Sequence, residues 1–83
     1  MKSVLVTCES FNLKLPPEKI GELMTDFGGL GCFVTDIVPQ KDTNLEIIQV
    51  RYPEELPVEK VLEILKAQGI VVKESNVLPF TIK

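Results

Sequence analysis

Apolar residues recur three and four positions apart in two stretches of the chain, the spacing that places side chains on one face of a helix. They are Ile20, Leu23, Met24 and Phe27 in the first stretch, and Val58, Val61, Leu62 and Leu65 in the second. Prolines open both stretches, at 16–17 and at Pro57, and glycines end them, at Gly28 and Gly69. Proline suits a first helical turn, and glycine adopts the left-handed cap conformation at least cost. The pattern therefore predicts two helices.

Short runs of strand-forming residues flank both helices. The candidate strands are residues 3–10, 32–38, 45–52 and 70–74, the last resuming at 77–82 after an interruption at 75–76. The polar segment VPQKDTN between the two middle strands suits a hairpin turn. Right-handed crossovers and the order β-α-β-β-α-β predict an α+β, ferredoxin-like fold. We expect one domain over residues 1–83, with a four-stranded antiparallel sheet in the spatial order 4-1-3-2 and two helices on one face.

The two halves of the chain resemble each other. A shift of 41 residues places LPPEKIGELMTDFG over LPVEKVLEILKAQG, with six of the fourteen positions identical. Similarity at a fixed period indicates a repeated supersecondary unit. We therefore predict two βαβ half-repeats, residues 1–41 and 42–83, with convergence on common helix signals as the alternative.

The central strands are apolar on both sides. Ile48 and Val50 of the third strand point one way, and Leu45 and Ile47 point the other, whereas the helices can cover only one side of the sheet. This pattern favours a homodimer formed through the open face of the sheet. In the alternative, a monomer, charged residues keep that face hydrated. These residues are Glu9, Glu46 and Lys73.

Charge and hydropathy exclude two classes of partner. The net charge is −3, and the 9 Lys and Arg residues are dispersed among 12 Asp and Glu residues. Because no basic patch is dense enough to neutralise phosphates, we expect no nucleic-acid partner. No stretch approaches the roughly 20 apolar residues of a membrane span, and the N-terminus lacks a cleavable signal pattern. We expect a cytoplasmic protein with no membrane span.

The segment TDFGGLGCFV, residues 25–34, is the strongest candidate for a binding loop. A phosphate-binding glycine loop follows a strand and opens a helix, because free helical N–H groups bind the anion. Here the glycines follow a helix and precede a strand. We therefore interpret Gly28 as the helix cap, and Gly29 and Gly31 as residues that allow a tight turn.

Residues suited to catalysis or metal binding are few. Cys8 and Cys32 are the only cysteines, histidine is absent, and no Cys-x-x-Cys spacing occurs, so we expect no metal and no cofactor. The first and second strands are not neighbours in the predicted sheet, which favours two buried free thiols over a disulfide. The carboxylates, Glu46 among them, are interpreted as solvated surface charges. Without an imidazole to activate a nucleophile, we assign no catalytic residue.

Two segments carry a family resemblance. The chain lacks the strand aromatics of RNA-recognition motifs and the Cys-x-x-Cys of heavy-metal-associated domains. Its segments DFGGLGCFVTDIV and LEILKAQGIVVKE resemble small ACT-like domains, including the NIL-type domains associated with transporter ATPases. The resemblance implies a non-catalytic regulatory module that binds an amino acid or similar small metabolite, in a side-by-side or face-to-face dimer. The ligand-binding residues that it implies are Asn12, Leu13, Gly28, Gly29, Gly31 and Cys32.

The loop between the first strand and the first helix favours a second hypothesis. ACT domains that bind amino acids typically have a glycine in this loop, where the backbone approaches the ligand, whereas this chain has FNLKLPPEK. A structural or protein-interaction module would instead dock a partner on the open sheet face and bind no ligand.

Overall fold

The computed structural model describes residues 1–79 and confirms an α+β chain with a four-stranded antiparallel sheet. The elements, in chain order, are β1 (Lys2–Glu9), α1 (Phe11–Lys14), α2 (Pro17–Gly29), β2 (Phe33–Pro39), β3 (Leu45–Tyr52), α3 (Val58–Ala67) and β4 (Val72–Val77). β4 runs without a break through residues 75–76, where the sequence predicted an interruption. The predicted strand residues 80–82 lie outside the described residues.

Antiparallel pairs build the sheet in the order β2-β3-β1-β4, which is β4-β1-β3-β2 when read from the opposite edge. β1 and β3 pair over eight residues without a register shift, from Lys2 opposite Tyr52 to Glu9 opposite Leu45. We call the end of the sheet that holds Glu9 and Leu45 the upper end, and the end that holds Lys2 and Tyr52 the lower end. β2 lies beside β3 and β4 lies beside β1, so these two strands form the edges.

Alternate residues of the central strands form the core. They are Val4, Val6 and Cys8 of β1, and Ile48, Val50 and Tyr52 of β3. Residues from the predicted apolar faces of the helices are buried in the same cluster, namely Leu23 and Phe27 of α2 and Val61 and Leu65 of α3. α2 and α3 therefore lie on one side of the sheet. No helix within residues 1–79 covers the other side, the open face, whose central residues are Leu5, Thr7, Leu45, Ile47 and Gln49.

A third helix, α1, corrects the expectation of two helices. It is a single turn between β1 and α2, and its Phe11 side chain is buried in the core. Leu15 and Pro16 after it are extended, with ψ of 143° and 161°, because a proline disfavours the helical conformation of the residue before it. Pro16 and Pro17 therefore keep α1 separate from α2.

The end of α2 corrects the interpretation of the glycine loop. Gly28 lies inside the helix, and the left-handed residue is Gly31, with φ of 76°. The Gly31 N–H donates to the Gly28 carbonyl, and the Cys32 N–H donates to the Phe27 carbonyl. These two bonds define a Schellman motif, in which glycine occupies the first position after the cap. The loop therefore ends α2 and leads into the buried residue Cys32.

α3 ends in the same motif, with φ of 78° at Gly69, so the prediction of a glycine cap is confirmed there. The N-cap residues of α2 and α3, Pro16 and Pro57, lie 41 residues apart, but the left-handed glycines Gly31 and Gly69 lie 38 residues apart. α2 has 13 residues and α3 has 10, which accounts for the difference. The sequence similarity therefore aligns the starts of the helices and not their ends, and the half-repeats stay a prediction.

Separate alanine substitutions at Gly31 and Gly28 test this helix end. Gly31→Ala places a Cβ on a left-handed residue, 3.3 Å from Pro53 Cγ, and should lower the free energy of unfolding by about 1–2 kcal/mol. Gly28→Ala is the matched control, because the added Cβ meets no described neighbour within 4 Å; it should raise that free energy by about 0.5–1 kcal/mol. Urea unfolding followed by circular dichroism measures both, and a destabilised Gly28→Ala variant would contradict the placement.

Candidate functional site

The residues that the sequence assigned to a ligand site lie at opposite ends of the sheet. Asn12 and Leu13 belong to α1 at the upper end. Gly28, Gly29, Gly31 and Cys32 lie at the lower end, where α2 leads into β2. The eight residues of β1 separate the two groups by about 23 Å. Within one chain, the two groups of residues therefore do not form a single site.

A pocket of about 250 Å³ occupies the upper end. Its lining residues are Glu9, Ser10, Leu13, Lys14 and Asn44. The Lys14 ammonium lies 2.8 Å from Glu9 Oε1, and the Val71 N–H donates to the same oxygen at 2.9 Å. The hydrogen bond from Lys14, followed by that from Val71, lowers the pKa of Glu9. The pocket thus combines an ion pair with a hydroxyl, an amide and the 76 % exposed side chain of Leu13.

Glu46 does not lie where the sequence analysis predicted, which was on the open face as a solvated charge. Its side chain is only 1 % exposed and lies on the helix-covered side of β3, not on the open face. The Phe11 N–H donates to Glu46 Oε1 at 3.0 Å, so the carboxylate satisfies the first free amide of α1. The sequence could have indicated this position. Alternate residues of a strand point to the same face, and Glu46 alternates with the buried Ile48 and Val50.

Cys8 and Cys32 are free and buried, which confirms their predicted state. Burial raises the pKa of the Cys8 thiol to about 12, and the negative charges of Glu46 and Glu9 add to the shift. Burial also raises the pKa of Cys32. Both thiols are therefore protonated near neutral pH and are poor nucleophiles.

The open face is apolar near its upper end. Val38 of β2, Ile47 of β3 and Thr7 of β1 lie opposite one another and form one row across the sheet. Val38 is 51 % exposed, and Ile47 is half-buried. Leu5 and Leu45 extend the apolar surface on either side of this row. These four apolar side chains therefore form one patch on the open face.

The lower end of the open face carries the Phe33 ring of β2, which is 47 % exposed. The Arg51 guanidinium lies 5.8 Å from the centroid of the Phe33 ring, within the range of a cation–π interaction. Ser3, opposite Arg51, is fully buried. The exposed apolar side chains of β2 on this face are therefore Phe33 at the lower end and Val38 at the upper end.

Two further pockets are lined by residues of the described part of the chain. One, of about 390 Å³, lies between α2 and β2 and is lined by Met24, Val34, Thr35, Asp36 and Ile37. The other, of about 500 Å³, lies at the lower end and is lined by Met1, Pro53, Glu54 and Glu55. Within residues 1–79, no group of three His, Cys, Asp or Glu side chains is placed to hold a metal ion.

Alkylation kinetics test the state of the Cys8 thiol. At pH 8 a pKa of about 12 in place of 9.0 leaves roughly a thousandfold less thiolate, so native Cys8 should react with iodoacetamide at least a hundredfold more slowly than in the unfolded chain. Because the folded pKa is raised, this thiol also stabilises the fold below pH 9, and that contribution should fall between pH 9 and 12. Mass spectrometry of labelled peptides measures the rate, with the urea-unfolded protein as control. Equal rates in the two states would contradict a buried, neutral thiol.

Comparison with known proteins leaves the family open. No family model matches the chain, and no curated protein matches it either. The ACT-like resemblance therefore stays a prediction.

No helix of residues 1–79 is both long enough and apolar enough to cross a membrane.

Proposed function

We propose that this domain is a non-catalytic assembly module whose partner is a second copy of the chain, bound at the open sheet face. The observation that carries the proposal is the apolar row of Val38 and Ile47, flanked by Leu5 and Leu45, on the side that no described helix covers. Two buried free thiols are typical of a reducing compartment, which supports a cytoplasmic location.

A two-fold axis through the open face suits this arrangement. Such an axis brings the same patch of each copy together, so the apolar side chains of one copy cover those of the other. The patch is bordered by polar side chains, with Gln49 beside Leu5 and Glu74 opposite Thr7. An apolar centre with a polar rim is the usual composition of a protein interface.

The size of the sheet sets the expected strength of the dimer. Four strands about 4.8 Å apart and eight residues long give a face of roughly 19 Å by 26 Å. This is about 500 Å², below the roughly 800 Å² per partner of a standard stable interface. We therefore expect a weak dimer that dissociates on dilution.

Two valine-to-lysine variants test the dimer. Val38→Lys places a charge in the apolar row and should give a monomer at concentrations where the wild-type chain has twice the monomer mass. Val77→Lys is the matched control, because Val77 is 47 % exposed on the other edge strand and on the helix-covered side of the sheet. Sedimentation equilibrium measures the mass of each. A wild-type chain that stays monomeric at every concentration would overturn the proposal.

The upper-end pocket supports a second candidate function, the ligand-binding regulatory module that the ACT-like resemblance implies. Leu13, one of the residues implied by the resemblance, lines this pocket beside the Glu9–Lys14 ion pair. An amino acid carries a carboxylate that complements Lys14 and an ammonium that complements Glu9. The pocket therefore favours a small zwitterion over a nucleotide or a metal ion.

A thermal-shift screen against amino acids tests this second candidate. A ligand that binds only the folded chain at 100 times its dissociation constant should add about 2.7 kcal/mol of stability, and Lys14→Met should abolish the shift. Lys19→Met is the control, because Lys19 also forms an exposed ion pair, with Glu22 at 3.2 Å, but lies outside the pocket. A screen without any shift would leave the assembly module as the function.

A further inference from the structure

The two edge strands differ in how their side chains protect the sheet. The middle of β4 is polar, with Lys73, Glu74, Ser75 and Asn76 in succession. β2 is apolar, and its Phe33, Ile37 and Val38 side chains are all exposed. An exposed apolar edge is a template for pairing with another chain, and charged side chains are the usual defence. The charged side chain of β2 is Asp36 and the strand ends at Pro39, so the protection of this edge depends on these two residues.

Alternate residues of β2 bond to β3, and the residues between them direct their backbone N–H and C=O groups away from the sheet. The Gln40 N–H donates to the Leu45 carbonyl across the hairpin at 3.0 Å. In an antiparallel pair, residues bonded to the neighbouring strand alternate with residues whose N–H and C=O point away from it. The register is continuous from Asp36 to Pro39, so Val38 and Asp36 bond to β3. Ile37 and Pro39 then direct their backbone groups away from the sheet.

Neither outward residue offers a free donor to another strand. The Ile37 N–H donates to Asp36 Oδ1 at 3.0 Å. Pro39 has no N–H group. Below these residues the register shifts between Val34 and Asp36, an irregularity that interrupts pairing along an edge. The upper half of the β2 edge thus has no donor available for strand addition.

We propose that Asp36 and Pro39 together close the upper half of the β2 edge to a second copy of this chain. The Asp36 carboxylate occupies the outward N–H, and its charge also opposes a second Asp36 in a two-fold pairing centred near this residue. Removal of the carboxylate and of the proline ring leaves an apolar edge with two free donors. The variant edge then pairs with β2 of another copy, antiparallel and in continuity with both sheets.

The double variant Asp36→Ala with Pro39→Ala tests this edge closure. It is made in an Ile47→Lys background, so that association through the open face does not contribute. We expect the double variant to self-associate at least about tenfold more tightly than the background, since two restored N–H donors allow new backbone hydrogen bonds between the edges. Sedimentation velocity measures the association. Asp26→Ala in the same background is the control, because it removes an exposed aspartate on α2 and leaves the edge unchanged.

Two further measurements keep the outcome decisive. Circular dichroism establishes that the double variant is folded, and the single variant Asp36→Ala replaces it if it is not. Asp36→Asn separates the two contributions of Asp36, because the amide oxygen can still accept the Ile37 N–H while the charge is lost. A folded Asp36→Ala variant, alone or with Pro39→Ala, that sediments like the Asp26→Ala control would overturn the proposal. This result would leave the face dimer untouched, because that dimer is tested in the wild-type edge.

Discussion

The antiparallel pairing of β1 with β3 determines the rest of this structure. The two strands are matched over eight residues without a register shift, whereas both pairs that involve an edge strand contain one. A slip of β3 by one residue would turn Ile48 and Val50 toward the open face and disrupt the cluster on which the helices pack. It would also turn Glu46 away from the Phe11 amide, so the position of α1 depends on the same register.

Glu46 connects the core to the upper end of the molecule. A buried carboxylate is costly unless hydrogen bonds compensate it, and here the amide of Phe11 supplies one. Burial raises the pKa of the neighbouring Cys8, and the charge of Glu46 adds to that shift, so the thiol stays protonated near neutral pH. Glu9, on the other side of Cys8, holds Lys14 and the Val71 amide. Two carboxylates therefore fix the short helix and shape a pocket that offers charged groups to a small ligand.

A helical period predicted α2 and α3, runs of strand-forming residues predicted the four strands, and a polar turn segment predicted the hairpin, because each of these signals extends over several residues. The single turn of α1 is too short to show a period. Gly28 was interpreted as the cap because it is the first glycine after the apolar pattern of the helix, but α2 continues to Gly29 and the left-handed residue is Gly31. Glu46 was misplaced because its charge was given more weight than its strand parity. The upper-end pocket joins residues from the segment 9–14 with Asn44, which is distant from them in sequence. Such a pocket depends on strand pairing, which the sequence alone does not show.

One layer of helices leaves two surfaces of the sheet without cover, and β2 belongs to both. Its outward backbone groups come from Ile37 and Pro39, while the side chain of Val38 between them points to the open face. Ile37 and Pro39 therefore offer no free N–H group at the edge of the sheet, and Val38 exposes an apolar side chain on the open face. Strand addition needs the donors that the edge lacks, and face packing needs only apolar area and shape. Association of this domain through the face is thus compatible with its closed edge, and a side-by-side dimer along the upper half of β2 is not.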